Sequence, residues 1–147
     1  MIKKLLQLTL GAFLTSAGAS HLDSNRQEFL AQVPTYLPLD PDFVVVSSGV
    51  VEIALGIALI TTTFFLTQYR QLIGLLVGLF FILIFPGNIN QYLNQIDAFG
   101  LDTDQKRLLR LFFQPPLVIW AIWCTGAGTY LRKALKDKGF TSFPYFS

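Results

Sequence analysis

Charged side chains are scarce in this sequence. Asp, Glu, Lys and Arg make up 14% of its 147 residues, whereas a typical soluble domain has about 25%. The formal net charge is only +2, and no polar segment carries a basic run interleaved with aromatic residues. We therefore expect no nucleic-acid partner, and we expect much of the surface to face something other than water.

Cysteine and histidine occur once each, as Cys124 and His21. One cysteine cannot form an intrachain disulfide, a CxxC redox pair or a cysteine metal cluster. One histidine without partners at ligand spacing does not make a zinc site, which needs three or four ligands. The sequence therefore predicts no metal site, no evident cofactor and no set of catalytic residues. It favours a protein that is not an enzyme on its own.

Apolar residues are abundant, at 52% of the chain. They are gathered into continuous runs, and about 20 such residues in a helix span the hydrocarbon core of a bilayer. The runs predict an all-α integral membrane four-helix bundle, with short interfacial helices between helices 1 and 2 and between helices 3 and 4. The whole chain is expected to form one domain, residues 1–147. The four predicted helices are residues 2–21, 43–66, 69–88 and 108–135.

The first apolar run has two interpretations. Lys3 and Lys4 precede a short apolar middle, and Ala17 and Ala19 are placed as in an AxA cleavage site, which is typical of a secretory signal peptide over residues 1–19. The alternative is a retained first helix, because about 19 residues at about 1.5 Å each nearly cross the core. The residues themselves leave both interpretations open.

Prolines and acidic residues indicate where the middle helices begin and end. Asp40 and Asp42 precede or open the second helix, where carboxylates suit the positive end of the helix dipole. Pro86 is expected to loosen the third helix, which then stops near Asn88. The polar stretch 91–106 is predicted to form an interfacial helix followed by a loop.

The last helix has two candidate starting points. It either begins near Leu108 and kinks at Pro115 and Pro116, or begins at Pro115, where proline is favoured as the first helical residue. The later start leaves 21 residues up to Leu135, enough to cross a bilayer. We prefer the later start for the straight transmembrane part.

Basic residues are distributed unequally between the two sides of the predicted bundle. With four spans, both termini and the connection between helices 2 and 3 share the side that holds seven of the 11 Lys and Arg residues. The positive-inside rule then predicts a multi-pass protein of the cell membrane with both termini in the cytoplasm. The seven are Lys3, Lys4, Arg70, Arg132, Lys133, Lys136 and Lys138. The four on the other side are Arg26, Lys106, Arg107 and Arg110.

Glu52 is the one carboxylate well inside the second predicted span. It lies about 15 Å along the helix from Asp42, near the middle of the bilayer. A carboxylate there costs on the order of 2.5 kcal/mol or more, so Glu52 is expected to face the bundle interior and to be protonated or paired. Gly49 and Gly56 share its face and would let a helix or a ligand approach closely. A structural hydrogen-bond clasp between helices is an equally open interpretation.

Four further polar residues are expected around Glu52 in the outer half of the bundle. His21 ends the first helix, Asn88 ends the third, and Arg110 and Gln114 are four residues apart on one helix face. We predict a polar pocket that binds a ligand, with Glu52 as its floor and these four as its rim. The alternatives are an interfacial cap for His21 and a snorkelling role for Arg110. We expect Arg110 to reach Glu52 through Gln114, His21 or water, not directly.

Four blocks of sequence, taken in order, resemble the DoxX-like family of small four-helix membrane proteins. The blocks are SHLDSNRQEFLAQVPTYLP, VSSGVVEIALGIAL, FPGNI and RLFFQPPLVIWAIWCTG. The resemblance covers about residues 11–130, and it implies that helix 1 is retained and not cleaved. The matching positions are His21, Pro34, Pro38, Ser48, Gly49, Glu52, Gly56, Pro86, Asn88, Arg110 and Gln114. Those expected to be structural are Gly49, Gly56, Pro34, Pro38 and Pro86.

The resemblance implies two alternative functions. The family is named after a subunit associated with a thiosulfate:quinone oxidoreductase, which implies a redox-associated membrane subunit that binds a quinone or another lipophilic ligand beside Glu52. Animal relatives resemble assembly chaperones for membrane receptors, which implies a non-enzymatic subunit in which Glu52 only holds the bundle. Membrane lipid, a protein partner or a second copy of the chain are the expected partners. A small transporter is a weaker alternative, because four helices leave little room for alternating access.

Overall fold

All regular structure in the described part of the chain, residues 1–137 of a computed structural model, is helical, with no strand. This agrees with the predicted all-α class. Lys138, one of the basic residues counted above, lies outside the described residues. The helices are α1 (Ile2–Leu22), α2 (Arg26–Gln32), α3 (Pro41–Phe64), α4 (Arg70–Leu93), α5 (Asp104–Thr125) and α6 (Ala127–Asp137), with one 3-10 turn at Thr67–Tyr69 before α4.

Three helices of the described residues are long and apolar enough to cross a membrane, namely α3, α4 with its preceding 3-10 turn, and α5. Large apolar side chains cover much of their outer surface, as at Leu83 and Phe112, which are 66% and 68% exposed. Such a surface suits lipid and not water, which indicates a membrane protein. α1 is not among the three, since Gln7, several Ser and Thr residues and His21 interrupt its apolar run. Four spans therefore stay a prediction.

The four longest helices pack antiparallel to their neighbours around one apolar core. Residues near the start of α1 contact the end of α3, and residues near the start of α4 contact the end of α5. The bundle therefore has one end formed by the end of α1 and the start of α3, and another formed by the start of α1 and the start of α4. We call these the His21 end and the Arg70 end. The core between them contains Leu10, Leu14, Leu59, Val77, Phe80, Phe81, Ala121 and Cys124.

Glycines bring the backbones of α1 and α3 into direct contact. A Cβ atom added at Gly18 would lie 2.6 Å from the Gly49 carbonyl oxygen, and one added at Gly11 would lie 2.9 Å from the Gly56 carbonyl oxygen. Because both neighbours are backbone atoms, neither can rotate away, and the helices would have to separate. The two glycines predicted on the face of Glu52, Gly49 and Gly56, thus lie against another helix.

Gly49→Ala is expected to lower the free energy of unfolding by about 1–3 kcal/mol, the usual cost of overpacking a tight contact. Its Cβ would lie 2.8 Å from the His21 Cβ and 3.0 Å from the Gly18 carbonyl oxygen. Gly87→Ala is the matched control, because its Cβ would meet only the Gln32 carbonyl oxygen, at 3.6 Å. Unfolding of both variants in mixed detergent micelles measures the difference. Equal stability of the two variants would contradict the tight contact.

α4 is longer than predicted, because it runs through Pro86 to Leu93 and does not stop near Asn88. The polar residues of its last turns are buried and bonded to other elements: the Asn88 amide donates to Gln114 and the Asn90 amide donates to the Gln32 carbonyl. These bonds stabilise the continued helix.

The prediction of a helix within residues 91–106 was wrong, since the residues between α4 and α5 form a non-helical loop. The short helix predicted between helices 1 and 2 is confirmed as α2.

The predicted helix over 108–135 is divided into two and begins earlier. α5 starts at Asp104 because the Thr103 side chain accepts a hydrogen bond from the Lys106 backbone N–H, at 3.3 Å, as an N-cap. The preferred start at Pro115 was wrong, as Pro115 lies inside the helix. α5 ends before Gly126, whose φ of +76° is a left-handed conformation that suits glycine. At the start of α3, Asp40 precedes the helix as expected and caps it, since its carboxylate accepts a hydrogen bond from the Phe43 backbone N–H at 3.0 Å.

Candidate ligand-binding site

A cavity of about 580 Å³ lies at the His21 end of the bundle, among α1, α2, α3, α4 and α5. Most of its wall is apolar, with aromatic rings from several elements, including Phe29, Phe81 and Phe99. The polar side chains are few and come from different helices, as is usual in sites for small molecules. All five polar residues predicted from the sequence line this one cavity: His21, Glu52, Asn88, Arg110 and Gln114.

Glu52 is buried in the wall of this cavity, with 5% of its surface exposed. Its Oε2 atom lies 3.3 Å from Nε2 of His21, on the neighbouring helix α1. The angles of this contact do not make a hydrogen bond, and the same oxygen has no hydrogen-bond partner among the described residues. A buried carboxyl oxygen that lacks such a partner is costly, so the oxygen is free for a group that enters the cavity.

His21 is oriented by a hydroxyl group on α3. Its Nδ1 atom lies 3.2 Å from Ser48 Oγ, which in turn lies 2.9 Å from the Val45 carbonyl oxygen. When the single hydroxyl proton goes to Val45, Nδ1–H must be the donor to Ser48. Nε2 then faces Glu52 as an acceptor in the neutral ring and as a donor in the charged ring. Nε2 of His21 therefore lies next to the Glu52 carboxyl group in either form of the ring.

Asn88 and Gln114 form an amide pair between α4 and α5. The Asn88 amide donates to Gln114 Oε1 at 3.0 Å, and the Gln114 amide donates to the Phe81 carbonyl at 2.6 Å. Phe81 precedes Ile82, whose carbonyl loses its helical donor because Pro86 has no N–H. The Gln114 amide thus binds the backbone next to the turn that Pro86 weakens, and not the Ile82 carbonyl itself. This pair fixes the wall of the cavity next to Glu52.

Arg110 also lines the cavity and makes no ion pair among the described residues. Its guanidinium carbon lies 4.7 Å from the centre of the Phe99 ring, and its Nη1 lies 3.4 Å from Gln91 Oε1. The hydrogen bonds of Gln114 go to Asn88 and Phe81, so Gln114 does not connect Arg110 with Glu52. Most of the N–H groups of Arg110 are therefore available to a ligand.

An aromatic cover, the stacked rings of His21, Phe29 and Phe99, forms part of the cavity wall, and the sequence did not predict it. The His21 and Phe29 rings are 3.5 Å apart between centroids, and Phe29 meets Phe99 edge to face at 4.6 Å. Phe99 has a φ of +57° and donates its backbone N–H to the Glu28 carboxylate on α2. A contact with α2 thus holds the loop between α4 and α5 in the wall of the cavity. The only hint in the sequence is the apolar face of α2.

Ion pairs hold the exposed elements around the cavity. Arg26 on α2 donates to Asp42 at the start of α3, at 2.6 Å, and this hydrogen bond raises the pKa of Arg26. In the loop before α5, a hydrogen bond from Lys106 at 2.6 Å lowers the pKa of Asp102. Exposed pairs of this kind contribute little to stability, but they restrict the positions of α2 and the loop.

The fold and the cavity together define a helical membrane protein with a ligand-sized, mostly apolar chamber. Residues 10–125 match the model of a family described as a domain of unknown function (DUF8561), and the chain belongs to this family. Comparisons with curated proteins and with solved structures found no match. The matched segment includes every residue that lines the cavity.

Proposed function

We propose that the chain is a DoxX-like integral membrane protein with four spans, α1, α3, α4 and α5, and with both termini in the cytoplasm. Two features of α1 support its inclusion. It has 21 residues and packs antiparallel along α3, and apolar side chains such as Leu5 and Phe13 are 63% and 49% exposed on its outer face, where lipid would cover them. The excess of Lys and Arg at the Arg70 end supports the orientation.

We propose further that the protein is a redox-associated membrane subunit that binds a quinone or a similar lipophilic molecule in the cavity. The observation that carries this proposal is the buried Glu52 oxygen, which has no hydrogen-bond partner among the described residues and lies in a mostly apolar chamber. The volume of about 580 Å³ falls within the range of about 300–1,000 Å³ that ligand sites usually have.

A quinone matches the distribution of polar and apolar groups in this chamber. Its ring and tail would lie against the aromatic and aliphatic wall, and its two oxygens require hydrogen-bond partners. Glu52 would accept a bond from a quinol hydroxyl or, when protonated, donate one to a quinone carbonyl. The free N–H groups of Arg110 would serve the second oxygen.

The test is an unbiased mass-spectrometric inventory of the small molecules, lipids and proteins that remain with the protein in mild detergent. We expect a lipophilic molecule with carbonyl or hydroxyl groups, enriched over a membrane protein of similar size that is purified in the same way. Absence of any enriched molecule from protein that is folded and monodisperse would contradict ligand binding.

One observation favours a second function, that of an assembly subunit without a ligand. The contact between Glu52 and His21 joins α1 to α3 at the place where Gly18 and Gly49 meet, so Glu52 also fits a clasp between these helices. In that case the same inventory would contain a stoichiometric protein partner and no enriched small molecule. In-cell crosslinking that finds no stable partner would contradict this alternative.

A further inference from the structure

A second cavity, of about 470 Å³, lies at the Arg70 end, on the opposite side of the bundle from Glu52. Its described lining is entirely polar and consists of two cations, three threonines and two glutamines, without a carboxylate. Lys4 reaches it from the start of α1, Arg70 from the start of α4, and Thr125 from the end of α5. Positive charge combined with hydroxyl and amide donors is the composition that recognises a phosphate group.

Arg70 is held in place by buried partners and not by an opposite charge. Its Nε donates to Gln7 Oε1 at 2.5 Å, and its Nη2 donates to the Cys124 carbonyl. Gln7 is fully buried and is itself fixed, because its amide donates to the Leu59 carbonyl at 2.8 Å and to Thr62 at 3.2 Å. A guanidinium has five N–H donors, so this arrangement positions the group and leaves donors for an anion.

The surroundings of this cavity are strongly basic. Six described Lys and Arg residues belong to this end, and eight of the nine Asp and Glu residues belong to the middle or to the His21 end. Neither Lys4 nor Arg70 forms an ion pair within the described residues. The described lining of the cavity contains no carboxylate, so an anion would find attraction there without a competing negative charge. The basic residues are Lys3, Lys4, Arg70, Arg132, Lys133 and Lys136.

The geometry points to a phosphate-binding site formed by Arg70 and Lys4 at the Arg70 end of the bundle. Arg70 supplies preorganised donors, and Lys4 supplies an exposed charge. The hydroxyls of Thr63 and Thr125 donate to carbonyls of their own helices, so the two cations are the donors that matter for the anion. The bound group is either the headgroup phosphate of an anionic lipid or a phosphate in solution. This site is independent of the proposed function, since it shares no residue with the Glu52 cavity.

The test has two arms that distinguish these sources. In the first, native mass spectrometry measures binding of the first phosphatidylglycerol or phosphatidylcholine molecule to protein in neutral detergent. In the second, thermal unfolding is compared in inorganic phosphate and in chloride at equal ionic strength. A preference for phosphatidylglycerol supports a lipid site, and stabilisation by inorganic phosphate without such a preference supports a soluble one.

Two variants and one matched control decide whether the anion binds in this cavity. Lys4→Gln is expected to weaken anion binding about fivefold, because it removes one of the two cations that line the cavity, and Arg70→Gln is expected to abolish the preference. Arg132→Gln removes the same charge from α6, outside the cavity, and is expected to change binding by less than about twofold.

Lys4→Gln keeps the test decisive if Arg70→Gln fails to fold. The Lys4 side chain is exposed and makes no hydrogen bond or ion pair within the described residues, so its loss leaves the structure intact. Equal effects of Lys4→Gln and Arg132→Gln would overturn the site and show a general charge effect. So would the absence of any anion preference in both arms.

Discussion

Glu52→Gln is expected to weaken the binding of a short-chain quinone by about tenfold to a hundredfold. Glutamine has nearly the same volume, so the cavity keeps its shape, but it replaces one carboxyl oxygen with an NH2 group and carries neither the negative charge nor the acidic proton of Glu52. Loss of a hydrogen bond to an ionised or acidic group costs about 1.5–3 kcal/mol, which corresponds to this range of affinity. Quenching of tryptophan fluorescence during a quinone titration in detergent measures the dissociation constant.

Asp23→Asn is the control for this experiment. Asp23 lies at the same end of the bundle and is exposed, and it does not line the cavity. The Asp23→Asn variant should therefore bind quinone as the wild type does. If Glu52→Gln also binds as the wild type does, the carboxyl group has no part in ligand recognition. If Glu52→Gln binds normally but unfolds at a lower temperature, the interhelical clasp is the better account of Glu52.

Leu59→Ala is expected to lower the free energy of unfolding by about 2–5 kcal/mol, the range for buried Leu→Ala substitutions. Leu59 is fully buried in the core where α3 meets α1. Within a membrane, helix association depends on van der Waals packing because lipid tails are as apolar as leucine. The void left by the substitution therefore removes contacts that lipid cannot replace. Equilibrium unfolding in mixed micelles measures the change.

Leu79→Ala is the matched control for the core substitution. Leu79 is 49% exposed on α4, so lipid or detergent can fill the space that its side chain leaves. We expect a change of less than about 0.5 kcal/mol, as for most surface substitutions. Comparable losses at Leu59 and Leu79 would mean that the core identified in the structure does not determine stability.

Features of the fold that depend on residues close together in the sequence could be predicted. Apolar run length predicted long helices over α3, α4 and α5, and Asp40 and Asp42 predicted that α3 starts close to them. Helix ends that depend on distant partners could not be predicted. α4 continues past Pro86 because its buried amides bond to α2 and α5, and a local rule about proline does not include such partners.

The same distinction applies to the candidate site. Glu52 was identified because a carboxylate in an apolar run is costly and must be accommodated in the interior. The other four were identified from their places near the outer ends of helices and from the DoxX-like resemblance, and the structure places all five around one cavity. Their roles there stay a prediction. The aromatic cover was missed because the contact between Glu28 and Phe99 joins residues 71 positions apart. Nothing in the local sequence indicates that these two segments meet.

The division of the bundle into two tightly packed helix pairs makes ligand occupancy and folding interdependent. α1 packs extensively on α3, and α4 on α5, whereas α3 meets α4 along a narrower contact, and the Glu52 cavity lies between the pairs. A molecule in the cavity touches both pairs and so acts as a shared core for them. By mass action, a ligand at a hundred times its dissociation constant would stabilise the fold by about 2.7 kcal/mol. The free energy of unfolding should thus differ between the empty and the ligand-bound protein by about as much as a core substitution changes it.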